Sequence, residues 1–280
     1  MVSDQRPIGV FDSGLGGLTV AREILRLMPG EQIVYLGDTA RFPYGGRSKD
    51  AICSFAGQDA DFLIAQDIKM LIVACNTASA VGIEAVREMG GELPTIGVVL
   101  PGAKAAVLRT ADRKIGIIGT RATIKSEAYT QAIHDIDNDI KVYGKECPLF
   151  APLVEEGWID TDATRLIAQN YLYHLVDIGI DCIVLGCTHY PLLMEVIQGT
   201  VGTRIQLIDS AFWTAKEAQD ILSMLDLLSS NSRDGLSKSI FYLTDMTPNF
   251  EESAESFLGE KVPAIRHLPL DRLIEGGFTS

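Results

Sequence analysis

Short apolar runs alternate with longer amphipathic stretches along nearly the whole chain. Runs at 8–11, 33–36, 70–74, 95–99, 114–118, 140–143, 182–185 and 204–208, and a ninth at 240–243, have the length and residue types of buried strands. Between them apolar positions recur at helical spacing, as at 18–27, 48–65, 161–176 and 211–228. In the last of these, Ala211, Ala215, Ala218, Ile221, Leu222, Leu225 and Leu228 share one face. Strand–helix alternation of this kind predicts an α/β fold with largely parallel sheets. Ligands of such sheets bind outside the carboxyl ends of the strands, so those ends are where chemistry is expected. The polar stretch 229–238, SSNSRDGLSK, reads as a loop.

A long repeat underlies the pattern. The run ending in Asp12-Ser13-Gly14 corresponds to the one ending in Gly119-Thr120-Arg121, and the run ending in Cys75-Asn76-Thr77 to the one ending in Cys187-Thr188-His189. A third pair joins 95–99 to 204–208. The separations are 107 residues from Ile8 to Ile115, 112 from Cys75 to Cys187 and 109 from Thr95 to Arg204. Three pairs in one order at nearly one offset predict two similar, duplicated α/β domains. Each offers a cysteine at the end of an equivalent strand, and the two thiols are expected to face one interdomain cleft.

Composition narrows the partners. The chain has 280 residues, 47% of them hydrophobic, enough to fill two cores. Its formal charge of −13 opposes nucleic acid or an anionic membrane as partner, since both require clustered Lys and Arg. A small anionic substrate is still compatible with it. The first residues, MVSDQRPIGV, lack signal-peptide character, and no apolar run reaches membrane-spanning length. Five scattered cysteines do not make a disulfide framework; a reducing cytoplasm is expected.

The strand ends carry the candidate chemistry. FDSGLGGLTV at 11–20 is neither a dinucleotide fingerprint nor a P-loop: Thr19 stands where the last glycine of the first is needed, and no Gly-Lys-Ser/Thr follows. It is either a turn presenting N–H groups to an anion at a helix start, with Asp12 at its mouth, or a plain helix cap. Around 43–46, Pro-Tyr-Gly-Gly is turn chemistry, readable as a surface loop or as a Tyr closing over a ligand. Cys75 precedes an Ala-rich helix, where the helix N-terminus should lower a thiol pKa; a buried inert cysteine is the plainer alternative.

Paired thiols could bind zinc, exchange electrons or exchange protons. Cys187 and His189 with a single distant Cys75 do not have the spacing of a structural zinc site, and no C-x-x-C is present, so no metal is expected. Two bases on opposite sides of one carbon are what a racemase needs: one removes a proton, the other returns one to the opposite face. Asp12 and His189, each near a cysteine, could handle the thiol protons.

Five segments taken together resemble glutamate racemases: Asp12-Ser13-Gly14-Leu15-Gly16-Gly17, Pro43-Tyr44-Gly45, Cys75-Asn76-Thr77-Ala78-Ser79, Leu153-Val154-Glu155-Glu156-Gly157 and Gly186-Cys187-Thr188-His189-Tyr190-Pro191. The likeness runs from about residue 7 to about residue 270. It implies interconversion of L- and D-glutamate without a cofactor, supplying D-glutamate for peptidoglycan. By it Cys75 and Cys187 are the catalytic acid/bases, Asp12 and His189 their partners, and Glu155 a further polar assistant. Substrate contacts carry over to Asp12, Ser13, Tyr44, Gly45, Asn76, Thr77, Thr188 and His189, with Thr120 and Thr123 as additional contacts at the duplicated counterpart of the glycine loop. The resemblance also implies a homodimer, and an inserted second domain at 99–208 with the first formed by 1–98 plus 209–280. Racemisation of aspartate or another amino acid, or binding of an acidic amino acid without reaction, are the competing readings.

Overall fold

In the computed structural model, which describes residues 4–230, 234–246 and 250–278, all nine predicted runs contain strands. The first half contributes β1 (Ile8–Asp12), β2 (Ile33–Gly37), β3 (Met70–Val73) and β4 (Thr95–Gly97), with helices α1 (Leu18–Leu27), α2 (Lys49–Ile64) and α3 (Asn76–Gly90) between them. After α4 (Val99–Arg109) come β5 (Lys114–Gly119), α5 (Arg121–Lys125), α6 (Ala128–His134) and β6 (Lys141–Glu146). Then follow α7 (Phe150–Glu155), α8 (Asp162–Ile178), β7 (Cys182–Gly186), α9 (Met194–Val201) and β8 (Gln206–Asp209). The chain ends with α10 (Ser210–Met224), α11 (Gly235–Lys238), β9 (Ile240–Leu243), α12 (Phe250–Leu258), β10 (Ile265–His267) and α13 (Leu270–Glu275).

Every strand pair is parallel, and the strands form two sheets. Their orders are β10-β9-β2-β1-β3-β4 and β6-β5-β7-β8. The second order repeats the β2-β1-β3-β4 portion of the first, so the three strand pairs read from sequence occupy equivalent places. A fourth pair, β2 with β6, was not among those read from the sequence, although the run at 140–143 was read as a strand; no residue of β6 is buried. The run at 240–243 has no counterpart in the second sheet; β9 pairs with β2, and the unpredicted β10 extends the sheet beyond it. Of the predicted loop 229–238, residues 231–233 lie outside the described residues and Gly235–Lys238 is a short helix.

Side-chain alternation sends the two faces of each sheet into different cores. Ile8 and Val10 of β1 join a large core that continues into the second sheet through Ile118, Ile183 and Leu185; Phe11 enters a separate core with Leu63, Leu71 and Val73. α10 packs against both α1 and α4 and so bridges the layers of the two sheets. Caps start the helices where sequence leads one to expect them: Ser48, Thr161 and Asp209 each accept from an N–H of the first turn of α2, α8 and α10. Among the described residues no helix is long and apolar enough to cross a membrane.

Away from the strand ends a buried ion pair fastens the rim. The Lys69 ammonium, fully buried, donates to the carbonyls of Asp4 at 2.9 Å and Leu227 at 2.8 Å, and pairs with Glu31 at 2.6 Å. Removing one partner of such a pair strands a charge in the interior. Glu31→Gln is therefore expected to lower the unfolding free energy by about 3–5 kcal/mol, and the double variant Glu31→Gln/Lys69→Met to recover most of it. Denaturant titration measures both; a double variant as unstable as the single one contradicts this account.

Candidate active site

The carboxyl ends of β1, β3, β5 and β7 converge. Where β1 ends, Asp12 turns into the glycine loop, and its carboxylate takes the loop's own donors. The Gly14 N–H donates to Oδ2 at 3.0 Å and the Gly17 N–H also points to this carboxylate. Asp12 itself thus takes these N–H groups, so of the two readings the segment left open, the open cradle for a ligand anion is not the one found. Gly16 explains the rest of the motif. A Cβ there would lie 2.2 Å from Thr188 Oγ1 and 2.6 Å from His189 Nδ1, so bare backbone is needed where the first sheet's loop meets the second sheet's polar turn. Thr19 closes the same contact, its hydroxyl donating to the Gly16 carbonyl at 2.8 Å and lying 3.3 Å from that of Thr188.

Cys75 follows β3 and caps α3, its sulfur accepting from the Ala78 N–H at 3.5 Å and donating to Ser13 Oγ at 3.5 Å. The expected fall in its pKa does not occur. Burial and then the Asp12 charge push the thiol up to about 12, outweighing the Ala78 N–H and Ser13. Cys187 follows β7 differently: Pro191 opens a single turn at Tyr190–Leu193 before α9, so Cys187 does not itself cap a helix. Its partner is His189, with Nδ1 3.9 Å from the sulfur. The other ring nitrogen, Nε2, meets the carboxylate of Glu155 at the end of α7, and the ring is packed between Phe42 and Phe257. Burial alone would lower the His189 pKa, but hydrogen bonds to Cys187 and Glu155 more than offset it and push it up to about 10.

Both thiols line one cavity of about 30 Å³, together with Ser13, Tyr44, Gly45, Asn76, Thr77, Thr120, Thr188 and His189. Asp12 lies behind this lining, Oδ1 receiving the Thr188 hydroxyl at 3.4 Å. Thr123 reaches it through a triangle of hydroxyls: Thr77 to Thr120 at 2.9 Å, Thr77 to Thr123 at 3.3 Å and Thr120 to Thr123 at 3.0 Å. Glu155 acts on it only through His189. Tyr44 lines the cavity, but its hydroxyl points away, toward Asp38 and Asp59. Asn76 is fixed from the second sheet's layer: the Tyr129 hydroxyl on α6 donates to Oδ1 at 2.7 Å, which leaves the buried Nδ2 unpartnered.

Sequence reading missed Phe42, Ala151 and Tyr129. Phe42 adjoins the Pro-Tyr-Gly turn, which was a usable signal; Ala151 and Tyr129 carry none, because only the docking of α7 and α6 brings them in. Elsewhere the described residues contain no group of three His, Cys, Asp or Glu able to hold a metal ion.

Two similar parallel sheets each turn a cysteine toward one polar cavity. The chain belongs to the Asp/Glu/Hydantoin racemase family, whose sequence profile matches residues 14–218. It is 44% identical to the glutamate racemase of Chlorobaculum tepidum over 264 residues, 94% of this chain and 96% of that protein. It is 43% identical to the glutamate racemase of Geobacter metallireducens over 266 residues, 95% and 97% of the two chains. The crystal structure of glutamate racemase from Francisella tularensis in complex with D-glutamate superposes with a TM-score of 0.90 at 38% identity, covering 96% of this chain and 99% of that one.

Two outcomes test this geometry. Because Glu155 favours the imidazolium, Glu155→Gln is expected to lower the His189 pKa from about 10, read by NMR titration of the ring. In wild type the imidazolium's contribution to stability is complete below the unfolded-state value of about 6.5 and lost as pH rises through about 10. An unmoved titration contradicts the pairing. Gly16→Ala is expected to displace Thr188 and His189 and cut kcat/KM at least about 100-fold, the cost of a misplacement near 1 Å; wild-type turnover contradicts the close contact.

Proposed function

We propose that the chain interconverts L- and D-glutamate by a two-base mechanism in which Cys75 and Cys187 exchange roles. The observation that supports it most is that these two thiols, from equivalent strand ends of two similar sheets, line the same cavity. In the proposed reaction the thiolate of one cysteine takes the α-proton. The C–H bond breaks, and its electron pair delocalises into the adjacent carboxylate. The other thiol gives its proton to the opposite face, forming the new C–H bond. The two cysteines leave with their protonation states exchanged, and the reverse reaction restores them.

Asp12 beside Cys75 and His189 beside Cys187 move the thiol protons, and Glu155 holds His189 charged. Ser13, the Tyr44-Gly45 backbone, Asn76 through Nδ2, Thr77, Thr120, Thr123 and Thr188 hold the substrate carboxylates and amine. The unpartnered Asn76 amide is suited to a carboxylate oxygen. The α-proton is far less acidic than a thiol, so donors fixed before the reaction must stabilise the developing charge. We further infer a cytoplasmic homodimer that supplies D-glutamate for peptidoglycan, with one unit at 1–98 plus 209–280 and the other at 99–208.

Cys75→Ser and Cys187→Ser are each expected to lower racemisation by at least about 1,000-fold with the fold retained by circular dichroism. The assay is chiral chromatography of glutamate and aspartate in deuterium oxide with no added cofactor. Turnover of aspartate alone would overturn the substrate assignment, absence of deuterium at the α-carbon the reaction, and wild-type turnover by either variant the two-base scheme.

A further inference from the structure

Tyr44 lines the cavity with its backbone and ring while its hydroxyl enters a closed polar cluster beneath the loop. Asp38 at the end of β2 and Asp59 on α2 are both fully buried there. Arg41 lies between them: Nε donates to Asp38 Oδ2 at 2.5 Å and Nη2 to Asp59 Oδ1 at 3.1 Å. Its Nη1 donates to Gln58, and its guanidinium stacks on the Phe55 ring at 4.2 Å. Asp38 Oδ1 takes a further donor, the hydroxyl of Thr244 at 3.0 Å. The Tyr44 hydroxyl is within hydrogen-bonding reach of Oδ2 of both carboxyl groups, 2.9 Å from that of Asp59.

Proton counting decides the charge state. A phenol has one proton and can donate to only one of the two carboxyl oxygens it touches. If both carboxyl groups were ionised, the other contact would set lone pair against lone pair inside the protein, and two buried negative charges would face one guanidinium. A proton on one carboxyl group removes both conflicts. Asp38 takes two other donors, Arg41 and Thr244, whereas among the described residues Asp59 takes Arg41 besides Tyr44.

We propose that Asp59 is held as a neutral carboxylic acid that donates to the Tyr44 oxygen, while Tyr44 donates to ionised Asp38, and that this relay makes Asp59 a positioning residue for the loop that closes the site. Burial, and then the charge of Asp38, drive the Asp59 carboxyl well above the usual carboxylate range, which agrees with that assignment. The charged and titratable groups that act on it are Arg41 and Tyr44 in contact, and Asp38 and Asp12 through their charge. The cluster then sums to zero charge, Arg41 against Asp38 alone.

The loop has little freedom to move. A Cβ on Gly45 would lie 2.7 Å from the Cβ of Thr120, so the backbone next to Tyr44 abuts the second sheet's substrate-facing threonine directly. A shift of the Tyr44 anchor would be transmitted to that contact. The kinetic consequence rests on the racemase reading; the protonation state does not.

Asparagine is the isostere of a protonated aspartate: its carbonyl can accept from Arg41 and its amide can donate to Tyr44. Asp59→Ala is expected to raise KM at least about tenfold with a smaller effect on kcat, and Asp59→Asn to restore both to within about threefold of wild type. Asp38→Asn, which leaves buried Arg41 without its counter-charge, is expected to be as damaging as Asp59→Ala or worse. In the infrared difference spectrum between wild type and Asp59→Asn, the C=O stretch of a protonated carboxyl group is expected in wild type and missing in the variant. That band keeps the test decisive if Asp38→Asn does not fold or if glutamate is not the substrate. Absence of the band, or an Asp59→Asn enzyme as impaired as Asp59→Ala, overturns the proposal.

Discussion

The contact on which the rest depends is the one between the backbone of Gly16 and the side chains of Thr188 and His189. It joins the loop after β1 to the turn after β7, and it exists only because the first position has no side chain. From it follow the placement of His189 beside Cys187, of Thr188 over Asp12 and of both sheets' carboxyl ends around one cavity. Duplication supplies two similar strand ends, but it does not decide how they meet. That is decided by this contact together with the Tyr129–Asn76 bond and the hydroxyl triangle of Thr77, Thr120 and Thr123, all of which pass between elements of the two sheets.

Many polar groups converge in little volume, and most of them are satisfied by one another, the Asn76 Nδ2 being an exception. About 30 Å³ has room for no more than a couple of water molecules. The result is a site in which ordinary protonation rules are displaced. The Cys75 thiol is pushed up to about 12 and the His189 imidazole up to about 10, the first by burial and the second against it. Glu155 matters because it sits on the far side of His189 and so biases the near side.

Strands and their duplication were legible because parallel, buried strands leave continuous apolar runs, and Cys75 and Cys187 were legible because thiols at two such ends break the pattern identically. What stayed hidden depends on how helices dock. The Tyr44 side chain was readable as a lid, yet its hydroxyl faces Asp59, which comes from α2 fifteen residues later and whose role shows only once that helix packs beneath the loop. Tyr129 reaches Asn76 from 53 residues away with no motif around Tyr129 itself. The fall in the Cys75 pKa anticipated from its place at a helix start was reversed by the completeness of its burial, a property of the assembled fold and not of the segment.

The two halves of the site are alike in strand position and unlike in equipment. Cys75 meets a neutral hydroxyl and a helix N–H; Cys187 meets an ionisable imidazole backed by a carboxylate. Mirror-image substrates have equal free energy in water, so a racemase cannot favour one at equilibrium however lopsided its machinery. The ratio kcat/KM must be the same in both directions. Any difference between the halves has to appear as paired differences in kcat and in KM, with the enantiomer of lower KM also turned over more slowly.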